Sequence, residues 1–281
     1  MRLLSARLSG RLSAKRRHPL AGVVLLLLGL LVTGGVYASV APQPAKASSA
    51  TQEVIEEGRK LFLVGCASCH GSNAQGIETA SGNVLGPPLI GVGAAAVDFQ
   101  VSTGRMPATQ TGPQIPRKDP VYTPEQVEAL AAYIASLGPG PAIPAEEDYD
   151  YSEATEEEVV RGGELWRTNC TACHNFNASG GALPNGKYAP SLEGVDAKFI
   201  YEAMLTGPQQ MPVFPDDTLH AEDKRQIIAY VKAIDDRPSP GGFSLGSLGP
   251  VSEGLFAWVV GIGLLVVAAV WIAVQSVRVK K

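Results

Sequence analysis

Cys66-Ala67-Ser68-Cys69-His70 decides how this chain is read, and it returns as Cys170-Thr171-Ala172-Cys173-His174. All four cysteines of the 281-residue chain lie in these two pentapeptides. Two cysteines three positions apart sit on one side of a helical turn, and the next residue follows on that turn. Both thiols can then bond the edge of one flat porphyrin while the adjoining imidazole takes its iron, so CxxCH is the attachment sequence of c-type haem. Two competing readings fit less well. Zinc held by paired CxxC does not need a histidine after each second cysteine. A thioredoxin-type redox pair needs a βαβ pattern around it, and the sequence has none.

Each motif is followed at similar distance by Met-Pro, at Met106-Pro107 and Met211-Pro212. A low-spin haem uses such a thioether opposite its histidine. The sequence therefore predicts two covalently bound haem c groups, attached at Cys66 and Cys69 and at Cys170 and Cys173. His70 and Met106 would ligate one iron, and His174 and Met211 the other. Met204 lacks the following proline and a counterpart in the first half, so it reads as core. His220 opens a polar helix and reads as a surface residue, and His18 belongs to a basic arm. Phe62, Trp166, Tyr133 and Tyr230 suit either porphyrin contact or ordinary core packing.

The surroundings of the motif repeat as well. Leu61-Phe62 leads into Cys66 as Leu165-Trp166 leads into Cys170, and Pro87 through Val92 is answered by Pro190 through Val195. First cysteines are 104 residues apart and the methionines 105, which marks a tandem duplication. Thr123-Pro124-Glu125-Gln126 and Thr155 with Glu158 are helix-opening capping patterns. A helix is also predicted from Gln52 to Val64, another over Ala197 to Leu205, and a short one through Phe99. The stretch after His70, dense in Gly, Asn and Ser, reads as loop.

Outside the duplication lie two long apolar runs. Residues 19–38 carry no charge and follow six basic residues (Arg2, Arg7, Arg11, Lys15, Arg16, Arg17). Residues 254–274 are uncharged, with Trp258 and Trp271 near their ends, and precede Arg278, Lys280 and Lys281. Each is about the 20 residues that span a bilayer core, and the aromatic placement suits two membrane interfaces. The first run is also compatible with an export signal, although it exceeds the usual length of a signal core. Basic residues on the distal side of both runs put the two termini in the cytoplasm and the middle of the chain outside. Between residues 39 and 252, 26 acids face 14 Lys and Arg, which argues against a nucleic-acid partner.

The fold expected is mainly α, with two tandem helical haem domains plus N-terminal and C-terminal transmembrane helices. The boundaries read as arm and anchor 1–38, tether 39–50, first domain 51–138, linker 139–152, second domain 153–236, linker 237–253, anchor 254–274 and tail 275–281. With both axial positions of each iron filled, the chemistry is outer-sphere electron transfer, and no catalytic residue is expected.

Each half resembles a class I cytochrome c domain, a small helical fold around haem with CxxCH near its start, then a proline, then a distal methionine. In that family the proline carbonyl orients the ligating histidine, a role that falls to Pro87 and Pro190. The whole arrangement is similar to the dihaem cytochrome c subunits of actinobacterial menaquinol:cytochrome c reductases. Val64 through Gly71, Thr103 through Pro107 and Leu248 through Phe256 carry that likeness. The resemblance implies a subunit of a translocase in the respiratory chain, with a cytochrome b subunit, a Rieske iron-sulfur subunit and a cytochrome c oxidase in a supercomplex as partners. Quinol chemistry would then belong to the partners, since no cysteine is left here for a cluster. Two other readings are a dihaem cytochrome serving another membrane dehydrogenase and a dihaem peroxidase. Two Met-Pro pairs argue against the peroxidase.

Overall fold

The computed structural model describes residues 19–40, 50–112, 114–236 and 250–278. The basic arm with His18, most of the tether, residues 237–249, Lys280 and Lys281 lie outside the described residues. The chain divides into two compact units, residues 1–46 and 47–281. In the first, Pro19–Val40 is one helix, α1, and its side chains from Leu20 to Tyr37 are almost all exposed. It is long and apolar enough to cross a membrane.

In the second unit, α2 (Gln52–Gly65) begins at Thr51, whose hydroxyl accepts the Val54 N–H. The Cys66 N–H closes this helix on the Phe62 carbonyl at 2.8 Å, and a separate turn, α3 (Ala67–His70), follows at an angle. A two-stranded ribbon, β1 (Ile77–Glu78) with β2 (Val84–Gly86), comes next, then α4 (Ala94–Ser102) and α5 (Pro124–Leu137). Thr123 and Gln126 form the capping box that the sequence predicts.

Helix α2 packs on α5. Phe62, Val127, Leu130, Tyr133 and Ile134 fill the space between them, with the rings of Phe62 and Tyr133 5.3 Å apart. Each such side chain taken fully from water stabilises by about 1.5–3 kcal/mol.

The second half runs through α6 (Glu146–Tyr149), α7 (Glu156–Asn169), α8 (Thr171–His174), the β3–β4 ribbon (Gly181–Ala182 with Tyr188–Ala189), α9 (Ala197–Thr206) and α10 (Ala221–Asp235). Thr155 and Glu158 cap α7 reciprocally. Helix α7 packs on α10 as α2 packs on α5, around Trp166, Ile227, Ile228 and Val231. Trp166 stands where Phe62 stands in the first half. Its ring lies 6.4 Å from that of Tyr230.

Three features depart from the sequence reading. A short ribbon interrupts the loop expected after His70, and a second one follows His174; with two or three residues per strand, they are too short to show an alternating pattern. Residues 139–152 carry the helical turn α6, with Tyr149 and Tyr151 packed on the second core. The duplication is also uneven. Sixteen residues separate Met106 from the cap of α5, against eight between Met211 and the cap of α10.

That extra length reaches the other half. The Gln114 side chain donates to the Tyr188 carbonyl at 2.7 Å and accepts its N–H at 2.9 Å. In return, the Gln209 side chain accepts the Ile115 N–H at 3.1 Å and donates to its carbonyl at 3.0 Å. Helices α4 and α9 also pack together, with Phe99 and Phe199 edge to face at 6.4 Å. Near the C-terminus α11 (Pro250–Arg278) is a second helix able to cross a membrane by length and composition, its side chains mostly exposed from Gly254 to Gln275.

Candidate haem sites

The motif backbone folds the same way twice. Cys69 and His70 donate their N–H groups to the Cys66 carbonyl at 3.2 and 3.0 Å, and Cys173 and His174 donate to the Cys170 carbonyl at 3.1 and 2.9 Å. The tight turn sets both cysteines and the histidine of each motif around one small patch. No disulfide joins any of the four cysteines. Burial, reinforced by Cys69, pushes the Cys66 thiol up to about 11. Burial, reinforced by Cys173, pushes Cys170 up to about 12.

The histidines are buried and held through one nitrogen. His70 Nδ1 stands 2.8 Å from the Pro87 carbonyl, and His174 Nδ1 stands 3.1 Å from the Pro190 carbonyl. A carbonyl only accepts, so each Nδ1 carries the proton and each Nε2 keeps its lone pair. This is the arrangement that metal-ligating histidines use, with the second ring nitrogen donating to a fixed acceptor. Burial holds the His174 imidazole below its usual range, against the raising effect of its Pro190 hydrogen bond, which keeps that lone pair available.

Gly86 makes the first contact possible: a Cβ there would lie 2.7 Å from the Cys69 carbonyl oxygen and 3.0 Å from His70 Nδ1. In the second motif Trp166 takes part, its ring 6.0 Å from that of His174 and its Nε1–H donating to the Phe176 carbonyl at 3.1 Å.

Both methionines of the Met-Pro pairs are half-buried. Met106 packs against the same core as Cys66, and Met211 against the core that includes Cys170. Met106 is steadied by its N–H to the Gln100 carbonyl at 2.9 Å, and Lys118 donates to the carbonyls of Pro107 and Gly104 at 2.5 and 3.3 Å. Met211 is steadied by its N–H to the Pro208 carbonyl at 3.1 Å. Met204 lies in the second core at 2 % exposure, as its lack of a following proline implies. His220 is exposed and opens α10, its N–H donating to Asp223. Among the described residues no cluster of three or more His, Cys, Asp or Glu could hold a metal ion by itself.

Sequence reasoning passed over Gly86, Lys118, Gln114 and Gln209. None has a motif of its own, and each matters only through a contact with residues distant in the chain.

Comparison with known proteins agrees with this geometry. Residues 55–138 match the family model for cytochrome c, and residues 157–231 match that for cytochrome c oxidase, cbb3-type, subunit III. The cytochrome bc1 complex cytochrome c subunit of Corynebacterium efficiens is 47 % identical over 277 residues, covering 93 % of this chain and 91 % of that one. Its namesake in Mycobacterium tuberculosis is 44 % identical over 274 residues, 95 % of each chain. The cbb3-type cytochrome c oxidase subunit FixP of Sinorhizobium medicae is 29 % identical over 154 residues, 53 % of this chain and 47 % of that one. Cytochrome c domains bind haem c covalently, and their presence here makes the protein an electron-transfer cytochrome. This chain belongs to the family of cytochrome bc1 complex cytochrome c subunits.

Proposed function

We propose that this chain carries two haem c groups and relays single electrons from a Rieske iron-sulfur subunit to a cytochrome c oxidase. It would do so as a membrane-anchored subunit of a menaquinol:cytochrome c reductase, beside a cytochrome b subunit. The observation that carries the reading is the repeated pairing of a buried histidine with a proline carbonyl, His70 with Pro87 and His174 with Pro190.

When bound, haem c supplies a one-electron iron couple. The residues of the chain supply everything else. Cys66 and Cys69, and Cys170 and Cys173, fix the ring by thioether bonds. His70 and His174 present Nε2 to the metal while Pro87 and Pro190 prevent the imidazoles from rotating. Met106 and Met211 would supply thioether ligands, which favour the reduced iron and raise its potential. With a histidine and a methionine committed to each iron, the chemistry such a site would support is outer-sphere electron transfer in a low-dielectric surround. Quinol oxidation, and any translocation of charge that accompanies it, falls to the partner subunits.

Helices α1 and α11 support anchoring at both ends, and the flanking basic residues support cytoplasmic termini with the haem domains on the extracytoplasmic side. The proposed domains are 51–138 and 153–236, joined by 139–152. Purification in mild detergent tests the partnership. Recovery with cytochrome b and Rieske subunits is expected, and isolation of the chain alone with both haems loaded would point to a shuttle for another dehydrogenase.

A further inference from the structure

Asp98 on α4 and Glu202 on α9 are 104 residues apart, the same offset as the first cysteines, so they occupy equivalent places in the two repeats. The packing of α4 on α9 brings both carboxyls to the same Lys198 ammonium. Asp98 is 5 % exposed and Glu202 fully buried. Asp98 accepts a hydrogen bond from the Ser102 hydroxyl at 2.9 Å and pairs with the Lys198 ammonium. Lys198 stands 4.0 Å from Glu202, too far for a hydrogen bond, and neither Glu202 oxygen meets a donor from the rest of the protein. Two buried carboxylates are acceptors only, and two negative charges beside one ammonium leave an unpaired charge inside the interface. A proton on Glu202 removes both difficulties: it makes Glu202 the donor to Asp98 and brings the three side chains to zero net charge.

We propose that Asp98 and Glu202 form a proton-binding site that latches the two cytochrome domains to each other. The site binds one proton, held as an acid–carboxylate hydrogen bond between equivalent residues of the duplication. Its surroundings offer no substitute. From α6, Tyr149 faces the group with Glu146 behind it, and Asp196 at the cap of α9 adds negative charge. On α10, Lys224 is engaged with Asp216 and lies over the Tyr201 ring, and Lys232 donates to the Val195 carbonyl. Behind α4, helix α5 turns Tyr133 into the first core and keeps Glu125 and Glu128 at the exposed face. Arg105, at the end of α4, is held over the Phe99 ring and on Thr103. Burial and the Asp98 charge accordingly raise Glu202 far above the ordinary carboxyl range, while Lys198 and Glu202 together hold Asp98 ionised despite its burial. Loss of the proton puts a second negative charge into the contact and drives the domains apart.

Infrared spectroscopy of the full-length, haem-loaded protein in detergent tests the site. At neutral pH a protonated-carboxyl C=O band that shifts in D2O is expected, disappearing on alkaline titration. Glu202→Gln should abolish it. Asp98→Asn should abolish it too, because Lys198 then holds Glu202 ionised without a competing charge. A wild-type spectrum without such a band, or a band that survives either substitution, overturns the assignment. The latch is read separately, from the distance between spin labels introduced at exposed Glu56 and Glu222. One narrow distribution at neutral pH should broaden at alkaline pH in the otherwise unaltered protein and stay narrow with Glu202→Gln. Equal broadening in both removes the latch. Neither readout depends on which side chains ligate the haem irons or on which subunits the chain joins.

Discussion

Gly162 lies so close to Gln226 on the facing helix that a methyl group on Gly162 would stand 1.9 Å from the Gln226 carbonyl oxygen. A methyl group on Gly58 would stand at the same 1.9 Å from the Ala129 carbonyl oxygen in the first half. These glycines, 104 residues apart, let α2 cross α5 and α7 cross α10 backbone against backbone. Close crossing carries Phe62 and Trp166 into the two cores, with Cys66 packed against the first and Cys170 inside the second.

Gly162→Ala therefore forces α7 and α10 apart. Overpacking of this kind costs about 1–3 kcal/mol. For a domain of this size that lowers the thermal midpoint by roughly 4–8 °C per kcal/mol. Calorimetry should show the loss in the second domain with the first little changed, and Gly58→Ala should reverse the pattern.

Met211→Leu keeps the volume of the side chain and deletes the thioether. The haem should stay attached, its potential should fall, and the iron should accept an added ligand such as carbon monoxide. Optical spectroscopy decides the matter: persistence of the full methionine-ligation band, undiminished by half, would show that Met211 is not a ligand.

Replacing Cys170 and Cys173 together by Ala should reduce the covalent haem content from two to one, read from the mass of the intact chain. Retention of both would refute attachment at the second motif.

Gln114→Ala removes two hydrogen bonds to Tyr188, each worth about 0.5–1.5 kcal/mol net. Tyr188 lies two residues before Pro190, and Gln209, which grips the neighbouring Ile115, lies two residues before Met211. On heating, the methionine-ligation signal of the second haem should thus be lost earlier than in the parent protein, with the first haem unmoved. Simultaneous, unshifted loss at both would separate this strap from the second site.

The pH dependence of stability follows from Glu202. Burial and Asp98 raise it to about 10 in the folded state from an ordinary 4.5, so the folded protein holds a proton that the unfolded chain releases. That contribution is complete below 4.5 and is lost as pH rises toward about 10. Asp98, lowered below 3.8 by its hydrogen bonds and Lys198, acts in the opposite sense: its contribution is present above that value and lost in acid. Thermal midpoints measured from mildly acidic to alkaline pH should decline in the parent protein, and Glu202→Gln should flatten the decline. A parallel decline in both would assign it to other groups.

The sequence by itself determined the parts that depend on local chemistry. The two CxxCH turns, the capping boxes at Thr123 and Thr155, the core character of Met204 and the two apolar spans were all legible, because each follows from neighbours within one or two helical turns. The duplication was legible as a repeat distance. What that distance would bring together was not. That Asp98 meets Glu202, that Gln114 and Gln209 clasp the opposite backbone, and that Gly162 lies under Gln226 are consequences of how α4, α9 and the long segment after Met106 pack. Carboxyls at 98 and 202 look like any solvated surface residue until tertiary structure removes the water, and the amides of Gln114 and the exposed Gln209 find the opposite backbone only once the fold brings it within reach. Burial then turns an ordinary glutamate into a proton holder, because an unpaired polar group inside a protein costs more than the same group left in solvent.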